Sequence, residues 1–173
     1  MQFAVFLRGA NVGGRTFSTK AVAEALADLE VKNLGTAGTY RVGKARSATA
    51  VRDAFQPLVP EGCDLLVRPL DEVLALVKRD PFAREGDRGS PFVTVLAEEP
   101  KRPVAYPWEV PDGGPWQLRV LRAEGPYVLS LRDAAEPGKF YPNEVIERAL
   151  GVRATTRGWK TMLDLAKLAK PPA

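Results

Sequence analysis

The chain of 173 residues contains no histidine and only one cysteine, Cys63. Histidine is the side chain that most often serves as a general base or metal ligand near neutral pH, so its absence excludes Ser-His-Asp and Cys-His catalysis and histidine zinc sites. A single cysteine forms no internal disulfide, which favours a reducing compartment. We therefore predict no metal and no cofactor, and we expect Cys63 to be a small buried residue rather than a nucleophile.

Long hydrophobic stretches are also missing. The longest, such as residues 3–7 and 73–77, fall far short of the roughly 20 residues that cross a bilayer. No basic leader precedes residues 3–7, so this segment is predicted to be a first strand rather than a signal peptide. These features predict a cytoplasmic protein without a membrane segment.

The net charge is small, at +4, but it is unevenly distributed. Residues 1–52 carry 8 basic and 3 acidic groups (+5), residues 53–138 carry 10 and 15 (−5), and residues 139–173 carry 7 and 3 (+4). If the two basic ends meet in the fold, they form a positive face suited to phosphate. The small total predicts that any binding of a nucleotide or nucleic acid is weak and strongly salt-dependent.

Periodicity and turn signals predict the order strand, helix, strand, strand, helix, strand over the first 68 residues. The strands are predicted at 3–8, 31–36, 39–44 and 63–68. The first helix is predicted at 18–29, with Ser18 as its N-cap, and the second begins at about residue 47. This is the split βαβ, or ferredoxin-like, order. A single long strand over 34–46 would instead give a parallel doubly wound sheet, and the pattern leaves both open.

The second half follows a third helix at 71–79 and a polar, glycine-containing connection at 81–91. A strand is predicted at 92–96, and five prolines between 100 and 115 exclude a regular helix there. A hairpin is predicted from 116–121 and 127–131 around Glu124-Gly125. A helix at 139–150 ends at Gly151, and the apolar stripe that begins at Trp159 marks a final helix.

Three segments resemble the family of domain of unknown function (DUF) 1697, whose members are uncharacterised bacterial proteins. They are Leu7-Arg8-Gly9-Ala10-Asn11-Val12-Gly13-Gly14, Asp80-Pro81-Phe82 and Thr155-Thr156-Arg157-Gly158-Trp159-Lys160-Thr161. The resemblance implies a pair of α/β-plait subdomains and implies nothing about activity. We accordingly predict an α+β fold of two ferredoxin-like α/β plaits packed together, over residues 1–80 and 81–173, with the second plait irregular.

The chain departs from the family pattern at two places. Where the family usually has Gln-Ser-Gly-Asn, this chain has Thr36-Ala37-Gly38-Thr39, and where the family has Arg-Asn-Trp-Asn, it has Arg157-Gly158-Trp159-Lys160. Both departures remove a polar amide that is suited to binding a ligand.

The first candidate site is the glycine turn after the first strand. Its backbone N–H groups, with the side chains of Arg8 and Asn11 and the flexibility of Gly13 and Gly14, are suited to an anion. The segment lacks the Gly-Lys-Ser/Thr ending of a P-loop and the spacing of a dinucleotide fingerprint. A structural turn explains it equally well.

The second candidate site is Thr156 and Arg157, predicted to start the final helix, where positive charge favours an anion. A simple cap by Thr156 with Trp159 packed in the core is the alternative. We predict that this helix start and the first glycine turn lie close together and form one basic site. Another basic group, Arg41, Lys44, Arg46 and Arg52 beside Tyr40, is interpreted as a solvated strand edge.

These residues favour a non-catalytic anion binder for a nucleotide, a nucleic acid or another phosphate. Phosphate binding needs only donors and positive charge, whereas no acid/base pair is visible. Two alternatives remain open: an enzyme that acts on a small molecule without histidine, and a protein–protein interaction module that includes a homodimer.

Overall fold

The computed structural model describes residues 1–10, 18–85, 89–133 and 141–169. Over these ranges the chain is a mixed α/β protein with two antiparallel sheets and five α-helices. It divides into two compact units, Met1–Arg79 with Thr161–Ala173, and Asp80–Lys160. The predicted plait ranges, 1–80 and 81–173, stay a prediction.

The first unit contains four strands and three helices before residue 80. They are β1 (Phe3–Arg8), α1 (Thr19–Ala25), β2 (Lys32–Leu34), β3 (Thr39–Val42), α2 (Ala48–Phe55), β4 (Asp64–Pro69) and α3 (Leu70–Arg79). The sheet order is β2-β3-β1-β4, and every neighbouring pair is antiparallel. The parallel doubly wound alternative is therefore excluded.

Serine caps begin the first two helices. The Ser18 hydroxyl accepts a hydrogen bond from the Ala21 N–H at 3.2 Å, and the Ser47 hydroxyl accepts one from the Ala50 N–H at 3.1 Å. Each serine satisfies an N–H group that has no partner inside its helix. The predicted cap at Ser18 is confirmed.

Strand β1 is buried on both faces. Phe3, Val5 and Leu7 belong to a hydrophobic core that includes residues of α1 and α2. Ala4 and Phe6, on the opposite face, are fully buried as well. Apolar residues at every position of the strand are thus explained by its central place in the sheet.

The second unit contains five strands and one complete helix. They are β5 (Ser90–Leu96), β6 (Trp108–Val110), β7 (Leu118–Glu124), β8 (Tyr127–Arg132), α4 (Pro142–Leu150) and β9 (Ala154–Gly158). The sheet order is β6-β7-β8-β5-β9, again with antiparallel neighbours. The last helix, α5 (Trp159–Lys167), starts in this unit and runs into residues of the first.

Glycine turns end two of these elements as predicted. Gly125 joins β7 to β8 with a φ of 59°, and Gly151 ends α4 with a φ of 70° and donates its N–H to the Glu147 carbonyl at 2.8 Å. Positive φ favours glycine because it has no Cβ. The predicted start of α4 at Lys139 lies outside the described residues. Residues 97–117, all described, contain β6 and no helix.

The prediction that Thr156 and Arg157 start the final helix is wrong. Thr156 lies inside β9, opposite Thr94 of β5, and α5 begins three residues later at Trp159. Thr155 and Thr156 are β-branched residues that suit a strand, and pairing with β5 extends that strand through Gly158.

Candidate functional site

Arg8, at the end of β1, is held by an ion pair across the sheet. It lies opposite Asp64 of β4, with 3.2 Å between Arg8 Nη1 and Asp64 Oδ2. The side chains are 30% and 22% exposed, so the pair is partly screened by water. Gly9 follows with a φ of 81°, which turns the chain out of the strand. The other predicted residues of this turn, Asn11, Gly13 and Gly14, lie outside the described residues.

Arg157 is bonded to its own strand. Its residue is only 6% exposed, and its Nη1 donates to Thr155 Oγ1 at 2.7 Å and to the Thr156 carbonyl at 2.8 Å. The Thr156 hydroxyl lies 2.7 Å from the Thr94 hydroxyl. These bonds give Thr156 and Arg157 a structural role that needs no ligand. Arg8 and Arg157 belong to different units, so their convergence stays a prediction.

The interpretation of Arg41 as part of a solvated strand edge is wrong. Arg41 is 1% exposed and Tyr40 is fully buried. Strand β3 lies inside the sheet, between β2 and β1, and Arg41 is paired with Lys32 on one side and with Ala4 on the other. Arg41 is therefore a buried cation within the first sheet.

The partners of the Arg41 guanidinium compensate its charge only in part. Nη2 donates to Gln2 Oε1 at 2.8 Å, and Nη1 donates to the Glu30 carbonyl at 3.3 Å. The nearest carboxylate oxygen, Glu30 Oε2, is 3.9 Å from Nη1, and the Glu30 side chain is 43% exposed. Arg41 Nε is buried and has no hydrogen-bond partner among the described residues. A buried cation of this kind is costly unless another group completes its bonds.

Arg41 forms part of the wall of an open groove of about 660 Å³ along the edge of the first sheet, which we call the β2 groove. The charged residues of the groove are Lys20, Glu24, Glu30, Lys32 and Arg41. These three cations and two carboxylates leave an excess of one positive charge.

The remaining wall of the β2 groove is small and mostly apolar. It consists of Ala23, Ala27 and Val31, together with Asn33. Asn33 Oδ1 is a second buried polar atom without a hydrogen-bond partner in the described ranges. Among the described residues, the groove lining thus includes an unbonded donor, Arg41 Nε, and an unbonded acceptor, Asn33 Oδ1. Their side chains lie on opposite faces of the sheet. Arg41 is paired with Lys32 and shares its face, whereas Asn33 is the next residue along β2 and points to the other face.

Tyr40 is another buried polar residue, on the helix-covered face of this sheet. Its ring packs edge-on against Phe55, with 5.2 Å between the ring centroids, and its hydroxyl has no partner within the described part of the chain. Burial, and to a smaller extent the neighbouring Cys63, raise the pKa of Tyr40 above its usual value of 10.0. Cys63 is 6% exposed, as expected for a small core residue.

Replacing Tyr40 with phenylalanine is expected to raise the free energy of unfolding by about 1–2 kcal/mol. The change keeps the ring contact with Phe55 and removes a hydroxyl that is buried without a partner. Urea denaturation at neutral pH measures the effect, with Tyr141→Phe as the control because Tyr141 is 53% exposed. A loss of stability in Tyr40→Phe would mean that the hydroxyl has a partner.

The same variant gives a test at alkaline pH. Because the folded pKa of Tyr40 is raised, the unfolded chain releases this proton first, and stability falls as the pH rises above 10. Tyr40→Phe should remove this part of the decline. An equal decline in both proteins would assign it to other groups.

The sequence carried no local signal for the burial of Arg41. A ferredoxin-like order places the third strand between the first and second strands, but one face of such a sheet can be open to water, so strand position alone does not predict a buried charge. The unbonded state of Asn33 and the position of Glu30 depend on a tertiary arrangement that local pattern does not contain.

Two classes of feature are absent from the described ranges. Nowhere in 1–10, 18–85, 89–133 and 141–169 do three His, Cys, Asp or Glu side chains lie close enough together to hold a metal ion. The helices in those same ranges are all too short or too polar to span a membrane.

Comparison with known proteins identifies a family. The family described as "Protein of unknown function (DUF1697)" matches residues 1–123, a range that includes the first glycine turn and the β2 groove. The Thr155–Thr161 segment lies beyond it. No curated protein and no solved structure shows significant similarity to the chain. Since the family match extends over well more than half of the sequence, the chain belongs to the DUF1697 family.

Proposed function

We propose that this protein is a non-catalytic binder of anionic groups, and that the β2 groove is its binding site. The single observation that carries the proposal is Arg41, a buried guanidinium whose Nε has no partner in the described residues and whose nearest carboxylate oxygen is 3.9 Å away. An anionic group in the groove would add a charge-assisted hydrogen bond to this guanidinium, and such bonds are about twice as strong as neutral ones. Lys32 would add positive potential at the mouth of the groove, whereas the charge of Lys20 is offset by Glu24 at 3.6 Å.

We also infer that both units are α/β plaits of the ferredoxin-like type. In the first unit, the order strand, helix, strand, strand, helix, strand and the sheet order β2-β3-β1-β4 support this. In the second unit, β7-β8-β5-β9 repeats the same spatial order. There, β6 and the proline-rich residues 97–117 take the place of the first helix, which accounts for an irregular second plait.

The sheet face of the first unit does not favour nucleic acid as the ligand. Plaits that bind RNA stack bases on exposed aromatic residues of the sheet. Among the described strands, the face opposite α1 and α2 carries one aromatic residue, Phe6, and it is fully buried. The edge groove is therefore the better candidate, and its size suits a small group or a peptide rather than a polynucleotide backbone.

The first glycine turn remains a second candidate site. Arg8 keeps 30% of its side chain exposed despite the ion pair with Asp64. An anion at this turn would have to compete with the Asp64 carboxylate at 3.2 Å, whereas at Arg41 it would compete with the Glu30 carboxylate, which is farther away at 3.9 Å. This difference favours the groove.

The proposal is tested by titrating the protein with inorganic phosphate while following backbone amide signals by NMR, with sodium chloride at matched ionic strength as the reference. We expect the signals of Lys32 and Asn33 to shift with phosphate and to saturate. Lys32→Gln should weaken binding by about two- to fivefold, the effect of one partly screened charge. Arg41→Met should abolish saturable binding.

Lys44→Gln is the matched control, because Lys44 is exposed, belongs to the same unit and does not line the groove. It changes the net charge by the same amount as Lys32→Gln. Equal weakening of phosphate binding in Lys32→Gln and Lys44→Gln would show that phosphate responds only to the total charge of the protein. The site would be rejected if phosphate leaves the Lys32 and Asn33 amide signals unshifted, or shifts them no more than chloride does.

A further inference from the structure

The β2 groove lies beside a sheet edge. Strand β2 is the first strand in the order β2-β3-β1-β4, and among the described strands it pairs with β3 alone. The outer side of an edge strand presents N–H and C=O groups that are available to another chain. Recognition by strand addition uses these groups for affinity and neighbouring pockets for specificity.

The walls of the groove are arranged on both sides of this edge. Lys32 and Arg41 are paired across β2 and β3, so their side chains share one face of the sheet. Ala23 and Ala27 lie on the helix-covered side, where α1 and the turn that follows it form the other wall. A ligand in the groove therefore meets Lys32 and Arg41 on one side of the edge, and on the other side Ala23 and Ala27 beside the paired Lys20 and Glu24 of α1.

The size of the groove exceeds what an inorganic anion needs. Its volume of about 660 Å³ is in the range of sites for drug-sized ligands, roughly 300–1,000 Å³. Side chains of an extended segment alternate between two faces with a period of two. A segment with acidic residues at alternate positions and small apolar residues between them fits both walls.

We propose that the anionic partner of the β2 groove is an extended acidic peptide segment that adds to the sheet beside β2. Its carboxylates pair with Lys32 and with the Arg41 guanidinium, which lines the groove, and its apolar side chains lie against Ala23 and Ala27. The proposal rests on the proposed function, because it assigns the anionic group of that same site to a protein segment. Exposed lysine on an edge strand normally prevents self-association, and here the same Lys32 selects a partner of opposite charge.

The test uses a blocked pentapeptide of alternating valine and glutamate, and the same peptide with lysine in place of glutamate. We expect the acidic peptide to bind at least about tenfold more tightly than acetate, and to slow hydrogen exchange of amides in Lys32–Leu34. The lysine peptide should not bind. Isothermal titration and amide exchange measure these effects on the full chain.

A matched pair of variants locates the site. Ala27 and Ala25 are both exposed and lie two positions apart in the sequence, but only Ala27 lines the groove. Ala27→Trp should fill the groove and weaken peptide binding by about tenfold or more, while Ala25→Trp should leave it unchanged. Equal binding of both peptides, or equal effects of both variants, would overturn the proposal.

The outcomes separate this inference from the function on which it rests. If phosphate binds as described above and the acidic peptide does not, the peptide inference fails and anion binding stands. If neither binds, both fail. Sedimentation tests for a second copy of this chain at the edge. If the chain forms a dimer, if Ala27→Trp dissociates that dimer and if the acidic peptide does not, a second copy occupies the edge and the peptide inference is wrong.

Discussion

Replacing Gly38 with alanine is expected to lower the free energy of unfolding by about 2–5 kcal/mol. Gly38 has a φ of 68°, a conformation that costs an alanine about 1–2 kcal/mol. A Cβ there would also lie 2.8 Å from Leu7 Cβ and from Leu7 Cδ1. Leu7 is only 2% exposed and cannot move away freely, so overpacking adds about 1–3 kcal/mol.

The matched control for this change is Gly35→Ala. Gly35 belongs to the same connection between β2 and β3 and has nearly the same φ, 67°, but a Cβ there has no atom within 4 Å. We therefore expect Gly35→Ala to cost only the backbone term of about 1–2 kcal/mol. Urea denaturation of both variants measures the difference. Equal losses would show that the contact with Leu7 relaxes without cost.

Gly38 bears on the candidate site because it ties the start of β3, the strand of Arg41, to β1. Its carbonyl accepts a hydrogen bond from the Leu7 N–H at 2.8 Å. The absence of a side chain lets the two backbones approach this closely. This bond continues the register of β1 and β3, in which Ala4 lies opposite Arg41.

Those parts of the fold that follow from local chemistry were predictable from the sequence. The cap at Ser18, the turn at Gly125 and the helix end at Gly151 each depend on a few adjacent residues whose preferences are strong. The strand and helix order of the first unit was predicted for the same reason.

The predictions that were wrong concern residues whose environment is set by distant parts of the chain. Thr156 was assigned to a helix start because Thr-Arg-Gly-Trp has the composition of a cap, yet pairing with Thr94, 62 residues away, makes it part of a strand. Arg41 was assigned to a solvated edge because charge usually indicates exposure. Pairing of β3 with both β2 and β1 buries it instead.

Gly43→Ala is expected to destabilise the protein by about 1–3 kcal/mol because it displaces the Arg41 guanidinium. A Cβ at Gly43 would collide with Arg41 Nη1 and would lie 2.8 Å from Arg41 Cζ and 2.7 Å from Glu30 Oε2. The Glu30 side chain is 43% exposed and can turn away, but the Arg41 side chain is only 1% exposed. Arg41 must therefore shift, at the expense of its 2.8 Å bond to Gln2.

A double-mutant cycle with Arg41→Met tests whether this collision is the cause. Methionine is flexible and has no group that needs the space beside Gly43, so in the Arg41→Met background the cost of Gly43→Ala should fall below about 1 kcal/mol. The resulting coupling of about 1–2 kcal/mol is in the range for residues in contact. Urea denaturation of the four proteins measures it, and amide NMR spectra check that each is folded. If Gly43→Ala costs the same in both backgrounds, Gly43 does not make room for the guanidinium, and the packing that holds Arg41 in the wall of the β2 groove has another origin.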